Sequence, residues 1–331
     1  MAGQRVRPEY TIGVDISQEE CVWVVLEGAT QTVKAKGEVK RSPKALASWA
    51  AKLYEQWPQA LVVVEATGGL ERLVRRAAHE AGFGVVVANP KRVQRLRESG
   101  GWAKTDGQDA QALAIWGWLF AYPQPQPGEA EERMRDLMLR REQVVEMLRR
   151  ERVRYQRAQD GFVRQQIQEM IAVLEEQLEE VEEEIEEQWA AWEEAEPQVR
   201  EDLELLQSVP GVGRWTALTL RLFMPELGHL DAKQVAALSG TAPMARDSGK
   251  RRGRRRIHGG RRRIRGALYM AALTWIRRKR GPLWEFYNRL RQQGKPSFVA
   301  IVALMRRLLV ILNAMLRDRT PWTPEKAMAK T

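Results

Sequence analysis

The sequence predicts an α/β domain followed by an all-α remainder, on three observations. Residues 10–120 alternate short apolar runs with helical spacings, which suits a mixed sheet flanked by helices. A proline-rich break, PQPQP at 123–127, ends that pattern. Beyond it the periodicity is helical, first in a long charged stretch and then in amphipathic helices joined by basic loops. The expected domains are 8–122, 129–197 and 198–320.

The elements follow in order. YTIGVD is a short apolar strand ending in Asp15. CVWVVL and TVKAKGEV are strand-like and close enough for a meander. SPKALASWAAKLYEQW opens with a helix start signal, Ser42 then Pro43. ALVVVEATGG reads as a buried strand ending in Glu65 and followed by a glycine turn. LERLVRRAAHEAGF is a helix, GVVVANP a strand, and AKTDGQDAQALAIWGWLFA a helix with Asp106 and Asp109 at its start.

A helical region from about 131 to 195 comes next. Its second half keeps Ile167, Ile171, Leu174, Leu178, Val181, Ile185 and Trp192 on a heptad seam. Its first half is basic. Between Arg164 and Arg200 there is no basic residue, and twelve glutamates crowd the stretch from Glu175. Two antiparallel helices of opposite charge, or one continuous helix that dimerises, both fit; Gly161 lies between the halves. In 201–320, LLQSVPGVGRWTALTL has the form of a helix-hairpin-helix. Its turn glycines Gly211 and Gly213, with Arg214 opening the next helix, suit a phosphate backbone. A packing hairpin is the plainer reading of the same residues.

The bulk numbers narrow the function. The 331 residues give room for two or three domains, and a 44% hydrophobic content supplies a core. The net charge of +11 points to an acidic partner, most simply nucleic acid. A single cysteine, Cys21, excludes an internal disulfide framework and a multi-cysteine zinc site. No apolar run is read as approaching the roughly 18 residues of a membrane span, and MAGQRVRPEY lacks a signal-peptide core. A cytoplasmic protein with no membrane partner is expected.

Eleven basic residues and one acid, Asp247, lie between Arg246 and Arg265. Lys250, Arg251, Arg252, Arg254, Arg255, Arg256, Arg261, Arg262, Arg263 and Arg265 are the candidates for neutralising a nucleic-acid backbone, with binding that weakens steeply with salt. Tyr269 and Trp275 read as stacking or as core residues, and His258 as a proton shuttle or a turn residue.

Four acids form a pattern in the first domain. Asp15 and Glu65 end strands; Asp106 and Asp109 share a helix face three residues apart. Carboxylates aimed at one place repel unless a divalent cation sits among them, and Mg²⁺ or Mn²⁺ suits oxygen ligands and phosphodiester chemistry. Singly, Glu65 also suits a solvated turn, Asp106 a helix cap, and Asp109 an exposed first-turn acid. The order Asp, Glu, Asp, Asp in this strand-then-helix context resembles a RuvC-like, RNase H-type fold.

With GVDIS, VVVEATGG, AKTDGQDAQALA, LLQSVPGVG and SGTAPMARDSGKRRGRRRIHGGRRRIRGALYMAAL in that order, the chain resembles the insertion-sequence transposases with an N-terminal DEDD domain and a C-terminal serine-bearing domain. The resemblance covers nearly the whole chain. It implies a DNA recombinase guided by a structured bridge RNA that pairs with donor and target DNA. It also implies a dimer that assembles into a tetramer in a bacterial or archaeal nucleoid. By motif, Asp15, Glu65, Asp106 and Asp109 take the metal-ligand roles and Ser248 that of a nucleophile forming a covalent link to DNA. Ser239 and Thr241 depart from the small or apolar residues expected there, which makes Ser239 a second candidate hydroxyl. On the residues alone, Ser248 would be a turn serine. Two rivals remain: a junction-resolvase type of metal-dependent endonuclease that uses the four acids without a serine, and a non-catalytic nucleic-acid-binding protein.

Overall fold

A computed structural model of the chain describes residues 7–100, 106–120, 127–244 and 256–325. They gather into two compact units, Met1–Pro127 and Gly128–Thr331.

In the first unit, β1 (Tyr10–Ile16), β2 (Glu20–Glu27) and β3 (Thr32–Lys40) form an antiparallel meander. Helix α1 (Pro43–Gln56) leads to β4 (Leu61–Glu65), and α2 (Glu71–Glu80) leads to β5 (Gly84–Ala88). The sheet order is β3-β2-β1-β4-β5, with β1–β4 and β4–β5 parallel. Parallel neighbours need a crossover, which α1 and α2 supply. The Ser42 hydroxyl accepts from the Ala45 N–H and Pro43 opens α1, as the start signal predicts. One sheet face, with Ile12, Val14, Val62 and Val64, shares a core with residues of α1 and α2.

The other face is covered by α4 (Asp106–Phe120). Leu61 and Val63 pack in one cluster with Ala112, Leu113 and Trp116. Two glycines allow the close approach. A Cβ on Gly13 would lie 1.9 Å from the Ala110 carbonyl oxygen, and one on Gly117 would lie 2.3 Å from a Val63 methyl. Sequence reasoning missed α3 (Pro90–Gly100). Its start signal is present: the Asn89 side chain accepts from the Lys91 N–H at 3.1 Å, and Pro90 is the first helical residue. The sparse apolar positions of PKRVQRLRESG, with Val93 buried, hide it.

The second unit begins with α5 (Glu129–Arg157) and α6 (Gly161–Ala195), separated by Ala158–Asp160. They form an antiparallel hairpin, one of the two arrangements the charge pattern left open. The Asp160 carboxylate accepts from the Val163 N–H at 3.0 Å and starts the return helix. Ile171, Leu174 and Leu178 pack with Val144 and Leu148. Opposite charges meet along the flanks, as in Arg133–Glu184, Arg141–Glu182 and Arg152–Glu175 at 2.5–2.7 Å. The hairpin base, with Met134, Met138, Ile185, Trp189 and Trp192, shares one core with the helices that follow.

Those helices are α7 (Pro197–Gln207), α8 (Arg214–Phe223), α9 (Ala232–Ser239), α10 (Arg262–Arg278), α11 (Pro282–Gln292) and α12 (Ser297–Asp318). Strands β6 (Pro243–Met244) and β7 (Arg256–Ile257) pair antiparallel. The central helix corrects the sequence reading of apolar runs. An 18-residue window of α12 reaches a mean hydropathy of 2.1, long and apolar enough to cross a membrane by length and composition. Arg306 and Arg307 interrupt the run and disguise it. Most of α12 is buried in the helical core, packed on α7, α9, α10 and α11. Its buried Asn313 accepts from the Gly228 N–H at 2.8 Å and donates to the Leu230 carbonyl at 2.7 Å.

Candidate active site

Strand register brings the first two acids together. β1 and β4 run parallel with Val14 opposite Val64, so the next residue on each strand is Asp15 and Glu65. Parallel neighbours lie about 4.8 Å apart and point matched residues to the same face. That face is the one under α4. The Thr11 hydroxyl donates to the Ala114 carbonyl at 2.9 Å, and Gly13 lies against Ala110. Alternation then turns Asp15 the same way, and Glu65 follows Leu61 and Val63. Two residues along β1 correspond to four residues back along α4, from Ala114 to Ala110. One more equal step sets Asp15 level with position 106, the first residue of α4. The steps match because two strand residues rise about 6.6 Å and four helical residues about 6 Å.

The structure treats the second pair of acids differently. Asp106 opens α4, and its side chain lies outside the described residues. The Asp109 carboxylate, 16% exposed, is paired with the Arg97 guanidinium from α3. Sequence reasoning missed Arg97 because it missed its helix. Among the described residues no group of three or more His, Cys, Asp or Glu side chains is close enough to hold a metal ion. Asp15 and Glu65 still fit a hard divalent cation: two half-buried carboxylates in register give oxygen donors. Mg²⁺ is held by one or two carboxylates with water or phosphate completing the shell.

The loop after Glu65 is braced by a residue that sequence reasoning gave no role. One carboxylate oxygen of Glu71 accepts from the Thr67 hydroxyl at 2.8 Å, the Gly69 N–H at 2.8 Å and the Thr67 N–H at 3.2 Å. Burial pushes the Glu71 pKa up, but these bonds outweigh it and hold it below the ordinary value. Gly68 and Gly69 take φ of +82° and +129°, which glycine alone adopts easily. The signal was there to read: Thr-Gly-Gly-Leu-Glu at the mouth of a helix. Nearby, Cys21 is buried and its thiol is pushed up to about 11, chiefly by burial, so it stays protonated at neutral pH.

In the helical unit, many of the expected nucleic-acid contacts are engaged within the protein. Gly211 has φ +92°, and a Cβ there would lie 3.1 Å from the Ala271 carbonyl oxygen and the Thr274 Cβ of α10. The backbone that approaches this glycine is the chain's own. Gly213 faces open space and caps α8. Arg214 pairs with Glu186 at 2.6 Å and stacks on Trp189 and Trp215. Arg261 grips Glu226 with two bonds of 2.6 Å and donates to the Phe223 carbonyl at 3.0 Å. Arg263 pairs with Glu142 at 2.5 Å and lies over the Phe223 ring. Arg265 donates to the carbonyls of Ser239 and Gly259. Arg262 is exposed. Arg256 lies on β7, its side chain outside the described residues.

Ser239 is fully buried. Its hydroxyl bonds the Ala236 carbonyl at 3.1 Å and the Thr241 hydroxyl at 2.9 Å, at the end of α9. Here it is out of reach of a phosphate. Ser248, Lys250, Arg251, Arg252, Arg254 and Arg255 lie outside the described residues, between β6 and β7. Trp275 is core, whereas Tyr269 is 37% exposed and His258 is exposed beside the Gly259–Gly260 turn.

With this geometry in hand, comparison with known proteins gives consistent matches. Residues 12–162 match a family profile described as transposase, and residues 203–288 one described as transposase of the IS116/IS110/IS902 family. The chain is similar to the pilin gene-inverting proteins of Moraxella lacunata and Moraxella bovis, each 28% identical over 268 residues, covering 79% of this chain and 81% of theirs. An uncharacterized 44.8 kDa protein of insertion element IS116 from Streptomyces clavuligerus is 35% identical over 130 residues. That match covers 39% of this chain and only 32% of the relative's length. Among solved structures, Thermus thermophilus RuvC in complex with a Holliday junction substrate aligns with a TM-score of 0.28 and 17% identity, over 35% of this chain and 99% of RuvC.

Proposed function

The chain belongs to the IS110/IS116/IS902 family of transposases, and from that premise we propose that it cuts and rejoins donor and target DNA through a covalent phosphoserine intermediate under the guidance of a bridge RNA. The observation that carries the reading is the register of β1 and β4, which sets Asp15 beside Glu65 under the start of α4. Asp15 and Glu65, with Asp106 and Asp109, would hold Mg²⁺ or Mn²⁺. Bound there, the ion would supply Lewis-acid stabilisation of charge on the phosphate oxygens.

The residues of the chain divide the remaining work. The Ser248 oxygen attacks the scissile phosphorus, forming a serine phosphodiester as the bond to one deoxyribose oxygen breaks. The serine proton leaves, and the departing sugar oxygen ends protonated. The reverse step with a new strand's hydroxyl restores a DNA phosphodiester, so no nucleotide hydrolysis is needed. The basic residues that follow Ser248, Lys250, Arg251, Arg252, Arg254 and Arg255, neutralise the phosphate and orient it. A dimer that assembles into a tetramer would let the acids of one subunit meet the serine of another. The pilin gene-inverting relatives support DNA rearrangement as the outcome.

The test is a trapping assay with the element-encoded RNA, Mg²⁺ and labelled donor and target DNA, resolved on a denaturing gel. Wild type and Ser239→Ala are expected to form a protein–DNA adduct; Ser248→Ala and Asp15→Ala are expected to form none. Cleavage with no adduct, untouched by Ser248→Ala and lost in Asp15→Ala, would instead identify a resolvase-type nuclease.

A further inference from the structure

The corner between α11 and α12 exposes every residue from Arg291 to Val299. Two of them are apolar and prominent: Phe298 is 62% exposed and Val299 50%. The surrounding chain is one-signed. From Phe286 to Arg317 there are six basic residues and no acid. Arg289, Arg291 and Lys295 are exposed on this stretch, within nine residues of Phe298 in sequence, and Arg289 also lies over the Phe286 ring at 5.7 Å.

The corner is built, with its backbone and side chains cross-tied. The Gly294 N–H donates to the Arg291 carbonyl at 3.0 Å and the Lys295 N–H to the Leu290 carbonyl at 3.1 Å, with Gly294 at φ +78°. The Arg291 guanidinium donates to the Lys295 carbonyl. The Tyr287 and Ser297 hydroxyls are 3.2 Å apart and tie α11 to the start of α12. A ring held out on a fixed corner loses little freedom when something stacks on it.

We propose that this corner is a docking surface for unpaired RNA, with Phe298 stacking on a base while Arg289, Arg291 and Lys295 attract the flanking phosphates. Exposed aromatic rings beside cations bind single strands this way, because every base has a stacking face and every linkage a negative charge. A DNA duplex keeps its bases stacked on each other, whereas folded RNA displays unpaired bases in its loops. The contrast with Phe162 supports the choice. Phe162 is 72% exposed at the tip of the α5–α6 hairpin, but it is flanked by charges of both signs, Asp160 and Arg164. The choice of RNA rests on the RNA-guided reading above; the stacking site itself does not.

The experiment uses the full chain and fluorescence anisotropy with an oligouridine, an oligothymidine of the same length and a DNA duplex. Phe298→Ala is expected to weaken oligouridine binding roughly tenfold. It should leave duplex binding unchanged, and Phe162→Ala should leave both unchanged. Phe298→Trp should keep oligouridine affinity, with indole emission quenched on binding. Equal affinity of wild type and Phe298→Ala, or unquenched Phe298→Trp emission, would overturn the proposal. A matching loss on oligothymidine would assign the corner to a DNA strand and overturn the choice of RNA. The assay contains no cleavable substrate, so its failure leaves the serine adduct test standing, and the reverse.

Discussion

In the sheet unit Asp15 and Glu65 stand side by side with the same charge, while in the helical unit Arg214, Arg261 and Arg263 each meet a carboxylate of their own chain. The difference separates two uses of charge. Strand register sets the first two carboxylates side by side, an oxygen-donor pair that suits a divalent cation. The arginine pairs hold helices in place. A residue's charge therefore says less about function than the groups the fold sets beside it.

The sharpest way to break the comparison is Glu65→Gln, which keeps the shape and removes the charge. DNA cleavage is expected to fall at least about a hundredfold, the scale of losing one electrostatic contact to a reacting phosphate. The melting temperature should hold, since glutamine keeps the side chain's shape and a hydrogen-bonding oxygen. Single-turnover cleavage and a thermal scan read both. A melting temperature that drops in step with activity would make Glu65 a structural acid.

A second change attacks the geometry that makes the carboxylates converge. Gly13→Val would drive a side chain into the backbone of α4 at Ala110 and Ala114. Overpacking of this kind costs about 1–3 kcal/mol, so unfolding should begin several degrees lower, with cleavage reduced because the start of α4 moves. Gly107→Ala is the matched control. Gly107 is also in this unit but faces open space, and alanine is the better helix former. A Gly13→Val protein as stable as wild type would mean that α4 does not depend on this close contact.

The two units were also unequally legible. The sheet elements could be read from short apolar runs, and Asp15 and Glu65 from acids placed at the ends of such runs; the parallel register that sets the two side by side is a tertiary feature that local pattern does not give. The ion pair of Asp109 was not legible. Arg97 lies on a helix whose apolar face is little more than Val93 and Leu96, and nothing in linear spacing says that the two will meet. The engagement of Arg261 and Arg263 was hidden for the same reason: their partners Glu226 and Glu142 are distant in sequence. Gly211 was legible as a site of close approach, while the identity of the approaching backbone, α10, depends on tertiary packing. Ser239 looked like an available hydroxyl until the fold buried it with Thr241.

Within the helical unit, the smallest predicted effect separates structural arginines from surface ones. Arg261→Ala breaks a two-bonded pair about a third exposed on each side, with an expected cost of about 1 kcal/mol. For a unit of this size that is a fall of about 2–4 °C in melting temperature. The pH dependence has a definite sign. Burial raises the Glu226 pKa, but the Arg261 bonds and charge outweigh it, so the folded value lies below the ordinary one. The pair's contribution is present above the ordinary carboxylate pKa and lost as pH falls through the lower folded value, so wild type and Arg261→Ala should converge in stability at pH below the folded value. Arg262→Ala should do the reverse. Its melting temperature should match wild type, while nucleic-acid binding weakens and the salt slope of log K against log salt falls by about one. If Arg261→Ala instead lowers the salt slope without touching the melting temperature, its pair with Glu226 opens on binding, and Arg261 is a ligand contact and not a structural one.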